Sequence, residues 1–245
     1  MMHRKRMGLF PPNAGNNLGT SGTGSGTGSG SIWLWNSGGS MIDFYTWDTP
    51  NGHKVRIMLE ECELAYRVHP VNLELGEQFA PEFLAISPNN KIPAIVDPDG
   101  PDGEPISVFE SGAILLYLAE KTGNLMPHDE RGRWQVMEWL MFQMSAVGPM
   151  LGQLGHFLYF TSESVPYAVE RYSDEAQRLA TVVDRRLDGR DFLAGDYSIA
   201  DVANFPWLAR HERLGIDLDG LGNLHRWLAA IAERPATRRG LEPVS

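Results

Sequence analysis

The chain has 245 residues, 42% of them hydrophobic, with a single Cys and a formal net charge of −10. One Cys excludes an internal disulfide scaffold and a structural zinc site made of several thiolates. The acidic balance disfavours a binder of nucleic-acid phosphates or anionic lipid, and no run approaches the ~20 consecutive apolar residues that span a bilayer, so a reducing cytoplasm without membrane association is the expected setting.

Residues 1–40 carry Arg4, Lys5 and Arg6 but no acid, and run through Gly, Ser and Thr from Gly19 to Ser31. Such a composition buries too little apolar surface to offset its ordering entropy, so this segment reads as a flexible head. It lacks the apolar core of a signal peptide, and its Ile32-Trp33-Leu34-Trp35 patch reads as linker or as a docking contact. Met41, just before the first strand, reads as a natural start.

Ile42 to Thr46 is expected to form a strand. Thr49-Pro50 then offers a helix cap with proline at the first helical position, and Val55, Met58, Leu59 and Cys62 share one helical face. Tyr66 to Val71 reads as a strand, Ala80 to Ile86 as a short helix, and Ala94 to Asp97 and Ile106 to Phe109 as strands around a turn-rich loop. A helix over Ser111 to Lys121 follows. Beyond Gly123 to Asp129 no convincing strand remains, and four helices are expected: Glu130 to Phe160, Pro166 to Leu187, Ser198 to Leu214, and Leu221 to Arg234. Ser198-Ile199-Ala200-Asp201 is a capping box, a folding signal. The expected organisation is a flexible head over 1–40, a small α/β domain over 41–125 and an all-α domain over 126–245.

Chemistry is expected where the α/β domain presents helix N-termini and irregular backbone, because these groups bind anions. One place is Thr49-Pro50-Asn51-Gly52; another is Asn90-Lys91-Ile92-Pro93-Ala94, where a cis proline would free the Ile92 backbone for an extended ligand; a third is Phe109-Glu110-Ser111-Gly112. Each can also be an ordinary cap or turn. Their order along one βαβ, helix, ββα unit raises their joint weight.

From Met41 to about Gly240 the sequence resembles a cytosolic glutathione S-transferase, a thioredoxin-like α/β domain followed by a helical domain. Thr49 to Lys54, Ile86 to Ala94, Phe109 to Lys121, Gly155 to Phe157, Pro166 to Arg171 and Tyr197 to Asp201 resemble the Nu class. These are glutathione-dependent disulfide-bond oxidoreductases, similar in turn to the yeast nitrogen-regulatory prion protein. The resemblance implies glutathione, as thiol and as disulfide, for the co-substrate. It implies a cis Pro93, an Ile92 backbone pairing with the cysteinyl part, Glu110 and Ser111 on the γ-glutamyl end, and Lys91 and Gln78 near the glycyl carboxylate. Thr49 and Asn51 would donate hydrogen bonds to the thiolate, and His156 and Arg171 are candidates for a second glutathione. The family also implies a homodimer.

Where a thioredoxin-like redox enzyme carries Cys-x-x-Cys, this chain has Thr49-Pro50-Asn51-Gly52. Cys62 is expected to be a buried packing residue, so the exchanging sulfur must be glutathione's. Tyr45 lies near the position of the phenol of tyrosine-class transferases, and strand alternation leaves its direction open. No metal cluster, P-loop or nucleophile elbow is present in the sequence. The expected activity is reduction of small disulfides; the alternatives are conjugation of glutathione to an electrophile and a regulatory protein that only binds glutathione.

Overall fold

The computed structural model describes residues 41–244; the head over 1–40, with its apolar patch, lies outside the described residues. Four strands, β1 (Ile42–Thr46), β2 (Tyr66–Pro70), β3 (Ala94–Asp97) and β4 (Ile106–Phe109), form one sheet in the order β2-β1-β3-β4. β1 runs parallel to β2, with α1 (Pro50–Glu61) as the crossover, and antiparallel to β3, which pairs antiparallel with β4. A short α2 (Pro81–Ile86) precedes β3, and α3 (Ser111–Thr122) follows β4. This is the thioredoxin-like α/β half expected from the sequence.

Alternation along β1 sorts its side chains between two layers. Ile42 and Phe44 are buried in the main core with Val55, Met58, Leu59, Ile114 and Leu118, whereas Tyr45 packs on a smaller cluster of Val71, Phe83, Ile92 and Ala94. α1 is buried on more than its predicted face: Ile57 and Lys54 are as inaccessible as Met58. Ile57 is covered by a helix the sequence reading missed, α10 (Pro235–Gly240), which begins with proline and lies against α1, while Lys54 is buried against Ser111 and Gln143. A Cβ on Gly240 would fall 2.9 Å from the Ile57 backbone nitrogen, so glycine permits this approach.

The second half is helical. The segment expected as one helix over Glu130 to Phe160 is α4 (Glu130–Phe142), a π-helical turn over Gln143–Val147, α5 (Gly148–Gly155) and a second π-helical turn over His156–Phe160. Pro149 lacks an N–H and its ring crowds the carbonyl four residues earlier, so the chain passes it by loosening rather than breaking. α6 (Pro166–Arg186) follows. The expected helix over Ser198 to Leu214 divides into α7 (Ile199–Leu208) and α8 (His211–Leu214), the junction tightened by Arg210 N–H to the Trp207 carbonyl at 3.2 Å. α9 (Gly222–Ala232) leads to α10. The capping box forms as read: Ser198 caps α7, and its N–H donates to Asp201 Oδ2 at 3.0 Å.

One apolar cluster runs from Ile42 and Phe44 in the sheet through Leu115 and Val136 to Trp227 and Ile231 in α9. α7 lies against α1 and α3, so the helical half is seated on the side of the α/β half where the α1 N-terminus opens. Among the described residues no helix is long and apolar enough to cross a membrane.

Candidate functional site

The β1–α1 turn is held by its own cap. Thr49 is extended, and its hydroxyl oxygen accepts the Gly52 N–H at 3.2 Å. A Cβ on Gly52 would sit 2.4 Å from Thr46 Oγ1 and 2.6 Å from the Trp47 carbonyl, so only glycine fits there. No acid stands in the first turn of α1, and the Asn51 N–H makes no hydrogen bond with any described residue. The positive end of the helix dipole is left to an outside anion. The Asn51 side chain reaches the helical half, where its Oδ1 accepts the Trp207 indole N–H at 2.9 Å.

The Ile92–Pro93 bond is cis. Ile92 is buried, yet no hydrogen bond among the described residues uses its N–H or carbonyl, which leaves an extended edge open to a peptide-like ligand. Lys91 beside it is exposed, and its carbonyl accepts the Ser87 hydroxyl at 2.8 Å. Gln78, in a short helical turn before α2, is buried with its Oε1 lacking a hydrogen-bond partner. An orphaned buried acceptor of this kind is a feature that an incoming donor would satisfy.

The β4–α3 turn carries the strained residue of the site. Glu110 has φ 71° and ψ 119°, a conformation a non-glycine residue adopts at a cost of ~1–3 kcal/mol, and its carboxylate is exposed. Ser111, the first residue of α3, is buried, and its Oγ accepts Lys54 Nζ at 3.3 Å. The same ammonium donates to Gln143 Oε1 at 2.6 Å, at the start of the first π-helical turn. Burial lowers the Lys54 pKa from its ordinary 10.5 to about 7, against the opposing pull of the Glu110 charge. On the same helix, burial and then the Arg210 charge lower the His53 pKa from 6.5 to about 4.

The sequence reading did not find Lys54 or Trp207. Both touch partners far along the chain, and neither lies in a local motif that names its role. The expected residues of the α/β half, Thr49, Asn51, Lys91, Ile92, Pro93, Glu110 and Ser111, fall on three turns of one half, with Gln78 on the short helical turn before α2. His156 and Arg171 stand apart on the helical half. His156 is exposed, edge-on to Phe157 with ring centres 5.2 Å apart. Arg171 lines a surface groove of about 560 Å³ with Met150, Tyr167 and Arg178. No hydrogen bond, ion pair or ring contact joins either residue to the three turns.

Tyr45 points away from α1. Its ring stacks on His69 at 4.6 Å and packs against Phe83 of α2, on the opposite layer of the sheet from Phe44. Cys62 is only partly buried, where the reading expected a buried packing residue. It caps the far end of α1, with Sγ 3.5 Å from Thr122 Oγ1, and burial raises its pKa.

Models of the glutathione S-transferase N-terminal and C-terminal domains match residues 49–121 and 147–235. The chain is 52% identical to the disulfide-bond oxidoreductase YfcG of Escherichia coli, over 82% of this chain and 94% of that protein. A glutathione transferase from Pseudomonas putida, solved with one glutathione disulfide per subunit, superposes with a TM-score of 0.80 at 47% identity, covering 83% of this chain and 91% of that one. A relative from Pseudomonas fluorescens, solved with two glutathione molecules bound, gives 0.79 at 46% identity, covering 83% and 93%.

Proposed function

The chain belongs to the glutathione S-transferase family, and on that premise we propose that it is an enzyme that binds glutathione and uses the bound thiolate to reduce small disulfides. The observation that carries this reading is the α1 N-terminus, where hydrogen-bond donors converge and no protein thiol stands. Cys62 is the sole Cys of the sequence and lies beyond the opposite end of α1, roughly 18 Å away along a helix of this length. Bound glutathione supplies the sulfur: its thiolate displaces one sulfur of the disulfide, and a second glutathione thiolate resolves the mixed disulfide, giving glutathione disulfide and two thiols.

The residues of the chain bind and hold charge. The Thr49 oxygen already accepts the Gly52 N–H, so its hydroxyl hydrogen is the part left to turn outward. With the Asn51 amide it donates to a sulfur anion over the helix N-terminus, which lowers the thiol pKa from ~8.5 and raises the attacking fraction at neutral pH. The Ile92 backbone beside cis Pro93 pairs with the cysteinyl unit. Glu110 takes the γ-glutamyl ammonium and Ser111 its carboxylate, while Gln78 and Lys91 serve the glycyl end. His156 and Arg171 are assigned to a second glutathione, in line with the two molecules in the Pseudomonas fluorescens relative. The working form is taken to be a homodimer in the cytoplasm, each subunit divided between residues 41–125 and 126–245.

Turnover of 2-hydroxyethyl disulfide with glutathione tests the assignment. Thr49→Ala and Asn51→Ala are each expected to lower kcat/KM by roughly 10²-fold, while Tyr45→Phe and Cys62→Ser stay near wild type. Loss in Tyr45→Phe, or faster turnover of a chlorinated aromatic electrophile than of the disulfide, would overturn it. Glutathione binding without any turnover would favour a regulatory protein.

A further inference from the structure

The proposed thiolate role of Asn51 depends on which way its amide faces. Carbonyl oxygen and NH₂ have nearly the same shape, and a half-turn about the last torsion exchanges an acceptor for a pair of donors at the anion site. The residue itself does not select between them. An indole N–H is a donor only, so the group facing Trp207 must be the Asn51 oxygen, as the 2.9 Å contact has it. The Asn51 NH₂ is thereby turned away from α7, and no described residue accepts from it.

Trp207 is itself held. It is half-buried on α7, and its ring lies over Gly152 of α5, where an added Cβ would come within 3.3 Å of the ring carbon Cη2. α7 packs directly on α1, so the indole is fixed by the helical half while its N–H crosses to the α/β half. We propose that Trp207 is a positioning residue for disulfide reduction, locking the Asn51 amide with its NH₂ toward the sulfur of bound glutathione. This deepens the function proposed above and rests on it.

Trp207→Phe keeps an aromatic ring and removes the donor, together with part of the indole that lies over Gly152. The expected result is a roughly tenfold fall in kcat/KM for 2-hydroxyethyl disulfide at neutral pH, with the apparent pKa of the bound thiol rising by up to about one unit in the pH–rate profile and in thiolate ultraviolet absorbance. Glutathione affinity should change much less. In the double variant with Asn51→Ala the loss should be no greater than in Asn51→Ala alone, since Trp207 acts through that amide. Should the phenylalanine variant fold poorly, benzothiophene in place of the indole at position 207 removes the N–H without changing shape and must give the same pH shift.

A pH profile that stays at the wild-type position in either variant, or losses that add in the double variant, would overturn the role. Failure of the underlying function looks different. It is the wild-type protein that then shows no glutathione-dependent turnover and no bound-thiolate absorbance, and both proposals fall together.

Discussion

Two capped helix N-termini in this chain are made of similar parts and left in opposite states. At α7, Ser198 and Asp201 close on each other, and Asp201 also accepts from the Leu193 N–H and the Trp227 indole at 2.9 Å each. At α1, Thr49 accepts one N–H, Asn51 accepts one indole, and donors remain. Each cap is braced by a tryptophan N–H. At α7 the brace ends on a carboxylate that three other donors also reach, so the polar groups are consumed and the site is inert. At α1 it ends on an amide, whose second function stays available. A helix terminus thus becomes a binding site through what its neighbours leave unpaired, and its sequence motif is silent on that point.

The sharpest way to break this contrast is at the closed cap. Asp201→Ala removes the acceptor of the Leu193 N–H, the Ser198 N–H and hydroxyl, and the Trp227 indole, all buried. Stranding such donors is expected to lower stability by on the order of 4 kcal/mol in urea denaturation, while the molecules that remain folded keep the wild-type kcat. A change in kcat with stability retained would show that the two caps are not functionally distinct.

At the open cap the signs should reverse. Asn51→Asp places an acid in the first turn of α1, which favours the helix by about 0.3–1 kcal/mol. The same charge opposes a thiolate, so turnover should drop by roughly 10²-fold as the bound thiol pKa rises. A stabilised protein that has lost its activity is the expected pair of readings, and full activity in this variant would refute an anion site at α1.

A smaller effect concerns Lys54, which braces the α3 cap through Ser111. Its pKa is about 7 in the folded chain against an ordinary 10.5, so between these values the unfolded chain holds a proton that the folded chain has released. Stability should therefore rise as pH climbs from about 7 toward 10.5. Lys54→Met should flatten that part of the profile, measured by denaturation across the window.

How far the sequence foretold these caps follows from how local each one is. Thr49-Pro50 and Ser198 to Asp201 lie within a few residues, and their spacing speaks directly. The stretch at Ile92 and the turn at Glu110 and Ser111 stood out in the sequence as possible binding places, but the parts of glutathione they hold entered through resemblance, since a proline or a strand-to-helix turn by itself fits many roles. The pairings of Lys54 and Trp207 left no trace, because their partners lie 57, 89 and 156 positions away and no periodicity encodes such contacts. The π-helical turns and the α7–α8 junction were missed for a related reason: amphipathic spacing marks a helical run without fixing its winding. α10 was missed because it is short, although Pro235 at its start was a legible signal.

The unbroken apolar cluster from the sheet to α9 has a consequence for how the protein comes apart. Because Leu115 and Leu118 on one side and Val136 and Leu140 on the other belong to a single cluster, neither half has a finished interior alone. Melting should register as one cooperative event, and residues 41–125 cut out as a fragment would present a greasy flank to water. The glutathione half is therefore no interchangeable cassette: to graft its chemistry onto another helical body, the buried boundary would have to be redesigned along with the turns that touch the ligand.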